Sequence, residues 1–291
     1  MDAITLTARQ RQRAVALIGD CSIELSPRDE LAGEPLRKLL TAGTTVFVNH
    51  PASVTHHDIV AACARLRRAG FAPVPHVAAR RLASFTQASD FLQRAVGEAG
   101  VNRILLIGGD DSPVGPFRAG LDLLATGVVE RHGIAHVAFG GYPEGHPSID
   151  PPTLDAALQA KVALARQGGL GVSLVTQFGF EAQPILSWIA TQRGHGINCP
   201  VHVGIAGPAS VATLAKFAIR CGIGASLRAL ARGHTAFARI MVEVGPDALI
   251  SELVAAGGED APIAAMHVFT FGGVRRTAEW IRAVSDARSI K

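Results

Sequence analysis

Glu24, Asp110 and Gln177 each stand at or just past the end of an apolar run, where a polar side chain could act on a bound molecule. The sharpest of these runs covers 172–180 and reads Val-Ser-Leu-Val-Thr-Gln-Phe-Gly-Phe. It is β-branched and apolar, then turns polar at Thr176-Gln177 before Phe178-Gly179-Phe180. Such a segment reads as a strand buried on both faces whose last residues present ligand-binding groups. The run 104–110 closes likewise on Gly108-Gly109-Asp110-Asp111, and 21–25 carries Glu24 near its end. Separated carboxylates can move protons or pair with a cationic ring, and a buried amide needs partners. Glycines let a large planar or phosphorylated ligand approach the backbone. These polar strand ends predict one shared site. Structural roles stay open beside it, since Glu24 could pair with Arg28 and Asp110 could cap the following turn.

The other strand ends carry Asn49-His50, His76, Gly141-Tyr142-Pro143-Glu144-Gly145-His146-Pro147, the glycines of 204–208, and Thr270-Phe271-Gly272. They hold few hydroxyl nucleophiles and no cysteine beside a base, so a nucleophilic triad has little support. A barrel lyase or aldolase would need a strand-end lysine for Schiff-base chemistry, and the pattern shows none. His56-His57-Asp58 reads as the surface start of a helix. Neighbouring helical histidines point in different directions, and no third ligand stands at metal spacing, so no metal is expected.

The elements that must position these groups follow from the whole chain. Its 291 residues are 48% hydrophobic and 18% charged, with mean hydropathy +0.27, enough for a sizeable core. The formal charge of +4 is weak for this length, and the basic residues form only small clusters at 65–68, 80–81 and 275–276. That is too sparse for a nucleic-acid footprint, though a basic rim could attract an anion. Cys21, Cys63, Cys199 and Cys221 lie far apart and read as free thiols in a reducing compartment. With no leader-like N-terminus and no apolar run of 18 residues, the chain reads as cytoplasmic, with no membrane partner.

A helix over 5–18 precedes strands predicted at 21–25, 44–49, 73–78, 103–108, 136–140, 171–176, 200–205 and 265–270. Helical patterns follow them, as over 84–99 before Gly100, 121–132 before Gly133, from near Glu181, and 211–220 before Gly222. This β/α alternation predicts an α/β fold, a single (β/α)8 TIM barrel spanning 1–291 as one domain. Two extra helices, 226–233 and 246–256, are inserted between strands seven and eight. The doubly wound open sheet is the alternative, weakened because no G-x-G-x-x-G follows the first strand.

Together the motifs resemble the methylenetetrahydrofolate reductase family, over about 23–280. Tyr142-Pro-Glu-Gly-His146-Pro is similar to the family's Tyr-Pro-Glu-x-His-Pro, and Thr176-Gln177-Phe178 to its strand-end Thr-Gln-Phe. Ile-Gly-Gly-Asp110 resembles the Arg-Gly-Asp turn, and Glu24-Leu-Ser-Pro27-Arg28 the opening Glu-x-x-Pro-x-Arg/Lys. Val203-Gly-Ile-Ala-Gly-Pro208 with Lys216-Phe217, and Val268-Phe-Thr-Phe271, complete the order.

The resemblance implies a barrel that holds FAD and interconverts 5,10-methylenetetrahydrofolate and 5-methyltetrahydrofolate with NADH or NADPH, in the one-carbon metabolism that feeds methionine biosynthesis. It implies Glu24 and Asp110 as catalytic residues, with Glu24 serving the proton step and Asp110 binding the pterin and biasing the flavin. Gln177 would hydrogen-bond the folate. Asn49, His76, Gly108, Gly109, Asp110, Tyr142, His146 and Lys161 would contact FAD, and a homo-oligomer is expected. The chain departs from the pattern at Gly108, where the family has arginine, and at Asn49, where threonine is common. Gln159 and Ala160 replace basic positions, Val211 stands at an aromatic one, and the approach from Lys161 to Thr176 is longer. These departures leave a second reading, a folate-binding or methyl-carrier protein of the same fold without flavin.

Overall fold

The apolar runs of the sequence form the strands of a closed barrel. In the computed structural model, which describes residues 6–30, 32–223, 243–257 and 262–287, these are β1 (Ser22–Leu25), β2 (Thr45–Val48), β3 (Ala72–Ala78), β4 (Arg103–Ile107), β5 (His136–Gly141), β6 (Gly171–Thr176) and β7 (Val201–Ala206). Two short strands, β8 (Ala209–Ser210) and β9 (Glu243–Val244), precede the last barrel strand, β10 (Ile263–Phe269). The barrel order is β1-β10-β7-β6-β5-β4-β3-β2. Pairing is parallel, with Ile23 opposite Val46, Val46 opposite Pro73, His76 opposite Leu105, and Met266 opposite Val203. This is the (β/α)8 barrel expected from the alternation, and closure excludes the open sheet.

The helices are α1 (Ala8–Gly19), α2 (His56–Arg68), α3 (Phe85–Ala99), α4 (Gly120–Leu124), α5 (Val128–Arg131), α6 (Pro151–Gln167), α7 (Ala182–Gly194), α8 (Val211–Cys221), α9 (Asp247–Gly257) and α10 (Val274–Ala287). Their starts are chemically marked. Thr55 and Asp58 make a reciprocal capping box at α2, and Ser84 accepts from the Gln87 N–H at α3. Gly100 ends α3 in the left-handed region at φ 58°.

The pattern over 121–132 is not one helix. Gly127 takes φ 68° and separates α4 from α5, because a left-handed residue cannot continue a right-handed helix. The helix expected at 246–256 is α9, whereas the one expected at 226–233 lies outside the described residues. The antiparallel β8–β9 pair, Ala209 opposite Val244, is too short to leave a periodic signal in sequence.

By contacts the chain divides into two compact units, one of Met1–Ser22, Gly141–Leu154 and Thr176–Lys291, the other of Ile23–Gly140 and Asp155–Val175. In the second unit Phe47, Val74, Leu105, Ala138 and Val175 pack together with Ile107. The alternate residues Val46, Val48, Ile104, Leu106, Val137 and Phe139 are buried as well, as a strand covered on both faces requires. In the first unit Phe178, Ala206, Val211, Leu214 and Ile223 form a core joined by Phe180, Phe217, Phe269 and Phe271.

The four cysteines are free thiols; Cys21, Cys63 and Cys199 are buried and Cys221 is half-buried. Burial pushes the Cys21 and Cys63 thiols up to about 12, which leaves them inert at neutral pH. Among the described residues no helix is long and apolar enough to cross a membrane.

Candidate functional site

Strand register in the second unit gathers Glu24, Asn49 and His76. Glu24 pairs along β1–β2 with Phe47, so Asn49 follows one step beyond the end of β2 on the same side as the carboxylate. Asn49 Nδ2 donates to Glu24 Oε1 at 3.2 Å. From β3, His76 Nε2 stands 3.3 Å from Glu24 Oε2, with the side chains 8% and 15% exposed respectively. That pair is within ion-pair distance but outside hydrogen-bond geometry. His76 Nε2 and Asn49 Oδ1 are both buried without a hydrogen-bond partner. Buried polar atoms left so are uncommon, and either a water or a ligand group can satisfy them.

The loop after β4 lies against the turn that follows β3. The Arg80 N–H donates to the Gly108 carbonyl at 2.9 Å, and Arg80 Nη1 donates to the Gly109 carbonyl at 3.1 Å. Gly109 has φ 95°, and a Cβ built there would meet the Ala78 Cβ at 3.4 Å. Glycine is therefore required at 109 by backbone conformation, whereas a Cβ at Gly108 meets nothing within 4 Å. Asp110 is exposed on this loop. The carboxylate held by a cation is its neighbour, because Arg81 Nε donates to Asp111 Oδ2 at 2.6 Å and Arg81 Nη1 to the Pro51 carbonyl at 2.5 Å.

Beside this loop, the His50 and His56 rings meet edge to face at 5.1 Å, and His56 lies 4.8 Å from Phe91. His56 is thus half-buried against an aromatic ring, not on the helix surface as its position in sequence suggests. Burial, then the neighbouring His56 and Arg81, lowers His50 to about 3, so its imidazole is neutral. Burial lowers His56 as well.

Lys161, on α6, sets its ammonium 5.4 Å from the centre of the Phe139 ring. Burial lowers it to about 8. Because Phe139 belongs to the buried strand residues that alternate with the Ala138 core position, the amine lies between α6 and β5.

In the first unit, Tyr142 to Gly145 form a turn closed by the Gly145 N–H on the Tyr142 carbonyl at 3.0 Å, with Gly145 at φ 84°. The Tyr142 and His146 rings meet edge to face at 5.2 Å, and His146 Nδ1 accepts from the Ser148 N–H at 3.1 Å. The motif is thus a preformed turn with two rings packed together. Gln177 is half-buried, and its Oε1 accepts from the Phe178 N–H at 3.2 Å. Its backbone N–H donates to the Gly141 carbonyl at 2.7 Å. Thr176 Oγ1 accepts from the Gly204 N–H at 2.8 Å. Val211 is buried in the core; the aromatic surface of this unit comes from Phe217 and Phe271, stacked at 4.1 Å, with Phe269 and Phe178 beside them.

Sequence reading missed Arg80, Arg81 and Asp111 as parts of the loop system. The signal was present, since Arg80-Arg81 follow a strand end and Asp111 follows the Gly-Gly-Asp turn. Only the parallel β3–β4 pairing, His76 opposite Leu105, shows that the two loops touch.

No family model matches the chain. Among solved structures it is similar to dihydropteroate synthase from Thermus thermophilus, with a TM-score of 0.51 and 15% sequence identity, covering 92% of this chain and 92% of that one. At that identity the likeness is one of fold.

Proposed function

We propose that this barrel is an enzyme of folate chemistry that interconverts 5,10-methylenetetrahydrofolate and 5-methyltetrahydrofolate, using FAD and NADH or NADPH. The observation that carries the reading is the Glu24 carboxylate held by Asn49 beside His76, with buried Asn49 Oδ1 and His76 Nε2 still lacking a hydrogen-bond partner. The similar structure is named for making dihydropteroate, a pterin compound, which favours a pterin-bearing substrate here.

Several features of the second unit support the flavin reading. Gly109 leaves the β4 loop free of a side chain at a left-handed position. Arg80 brings a cation to that loop, donating to the Gly109 carbonyl, while Arg81 beside it is paired with Asp111. When bound, the flavin would carry hydride between the nicotinamide and the folate. The protein's part is then placement and proton handling. Asn49 fixes the direction of the Glu24 carboxyl, and Glu24 delivers a proton to the ring nitrogen whose departure opens the folate to an iminium. Gln177 keeps the role of a folate hydrogen-bond partner, and exposed Asp110 that of a negative charge acting on pterin and flavin.

The visible spectrum of the purified protein tests this. A yellow protein that NADH or NADPH bleaches, and that methylenetetrahydrofolate restores, is expected. Protein that is colourless and takes up no added FAD would overturn the reading. Two observations favour a second reading, a folate-binding or methyl-carrier protein without flavin. Lys161 rests on Phe139, and Gly108 offers no charge. Calorimetry showing folate binding with neither FAD binding nor turnover would select it.

A further inference from the structure

His76 has a feature that cofactor contact alone does not explain: its buried Nε2 stands 3.3 Å from a carboxylate oxygen of Glu24 and has no hydrogen-bond partner. A glutamic acid serving as general acid near neutral pH must hold a proton there, yet an ordinary glutamate loses it at a pKa of about 4.3. An imidazole exchanges its proton between about pH 5 and 8. Groups this close bind protons as a pair, not singly.

We propose, on the reading of Glu24 as the acid, that His76 is the positioning residue that stores the proton Glu24 delivers. In the proton-loaded pair, the Glu24 carboxylate faces an imidazolium at His76. As substrate draws on it, the imidazolium N–H breaks while the Glu24 O–H forms, and that O–H breaks as an N–H forms on the folate ring nitrogen. The products are neutral imidazole, carboxylate and protonated substrate nitrogen, and His76 regains its proton from solvent. Glu24 then works at neutral pH without needing the raised pKa that burial alone would have to supply.

The surroundings support one partner for this imidazole. From the end of β2, Asn49 binds the same carboxylate, and the His50 ring is held neutral. The Phe47 ring meets His76 edge to face at 6.1 Å, and the register partner on β4 is apolar Leu105. Past the end of β3, the Arg81 charge is engaged by Asp111. Glu24 is the carboxylate that faces His76 among these groups.

Histidine titration by NMR on 15N-labelled protein as purified, without folate, tests the pairing. The resonance missing from His76→Gln identifies His76. Its midpoint should fall by about one unit or more in Glu24→Gln, since an opposite charge at this range shifts a pKa by roughly that much. An unchanged midpoint would overturn the proposal. In stopped flow at neutral pH, His76→Gln should slow the folate half-reaction by about 10²-fold, a loss that shrinks as acid protonates Glu24 from solvent. A loss independent of pH would mean a merely structural histidine and would also overturn the proposal. If the wild-type protein turns over no methylenetetrahydrofolate, the folate reading fails on its own, and the histidine titration still decides the pairing.

Discussion

Asn49 binds the end of β1 twice: its side-chain amide donates to Glu24 Oε1 at 3.2 Å, and its backbone N–H donates to the Leu25 carbonyl at 3.0 Å. The carboxylate is therefore fixed by the same residue that continues the strand pairing. Asn49→Ala should slow the folate half-reaction by up to about 10-fold, the equivalent of one hydrogen bond of about 0.5–1.5 kcal/mol. Asn49→Asp should do something different. A second carboxylate beside Glu24 favours the protonated form, so the alkaline fall of the pH–rate profile should move to higher pH. Stopped-flow profiles of both variants separate the two effects.

Glu24→Gln keeps the shape of the side chain and removes its proton chemistry. Flavin reduction by NADH or NADPH should stay nearly intact, while the folate half-reaction slows by about 10²-fold or more. Equal losses in both half-reactions would remove Glu24 from the acid role.

Gln177 carries a narrower expectation. Its Oε1 already accepts from the Phe178 N–H, so Gln177→Ala removes a local bond as well as a ligand contact. Folate KM should rise by about 2- to 10-fold, matching about 0.5–1.5 kcal/mol, with flavin content unchanged. A variant that fails to fold would make the residue structural.

His50 sets an acid limit on stability. The unfolded imidazole takes up its proton near 6.5, while the folded one resists down to about 3. Between those values the unfolded chain binds the extra proton, so the stabilising contribution is complete above pH 6.5 and is lost progressively as pH falls. Urea midpoints of wild type and His50→Asn, measured from pH 7 to 4, should show a shallower acid decline in the variant.

Lys161 acts at the other end of the scale. Burial lowers its folded pKa to about 8 from 10.5, so a desolvated ammonium opposes folding at neutral pH. Stability from this group is complete only above the unfolded value and diminishes as pH drops towards 8. Lys161→Met should raise the Tm at pH 7, and the gain should disappear by about pH 10.5. If Lys161 binds the cofactor, the same variant should lose FAD affinity despite its added stability.

The barrel was legible because each strand is a short apolar run buried on both faces, as at 103–107 and 171–176. Strand ends could be read in the same way, which is how Glu24, Asn49, His76 and Gln177 stood out. What sequence did not show was contact between loops. The Arg81–Asp111 pair joins residues 30 apart, and it depends on β3 lying beside β4. Nor could composition tell which aspartate the arginine would choose. The helix expected over 121–132 failed for a local reason, because Gly127 interrupts a pattern whose apolar spacing is otherwise continuous. Likewise the direction of Lys161, against Phe139, follows from which face of α6 meets β5, and the spacing of charges on a helix does not fix that.

The hydroxyl of Thr176 accepting the Gly204 N–H also says how the Thr-Gln signature divides its labour. A methyl group at Gly204 would collide with the Thr176 carbonyl, so the two strands touch backbone to backbone and the threonine oxygen seals the join. Position 176 is a mason's joint, and on the proposed reading 177 is the one that deals with visitors. Randomising the pair in a selection for growth should therefore yield two kinds of casualty, insoluble chains from the first position and well-folded but idle ones from the second.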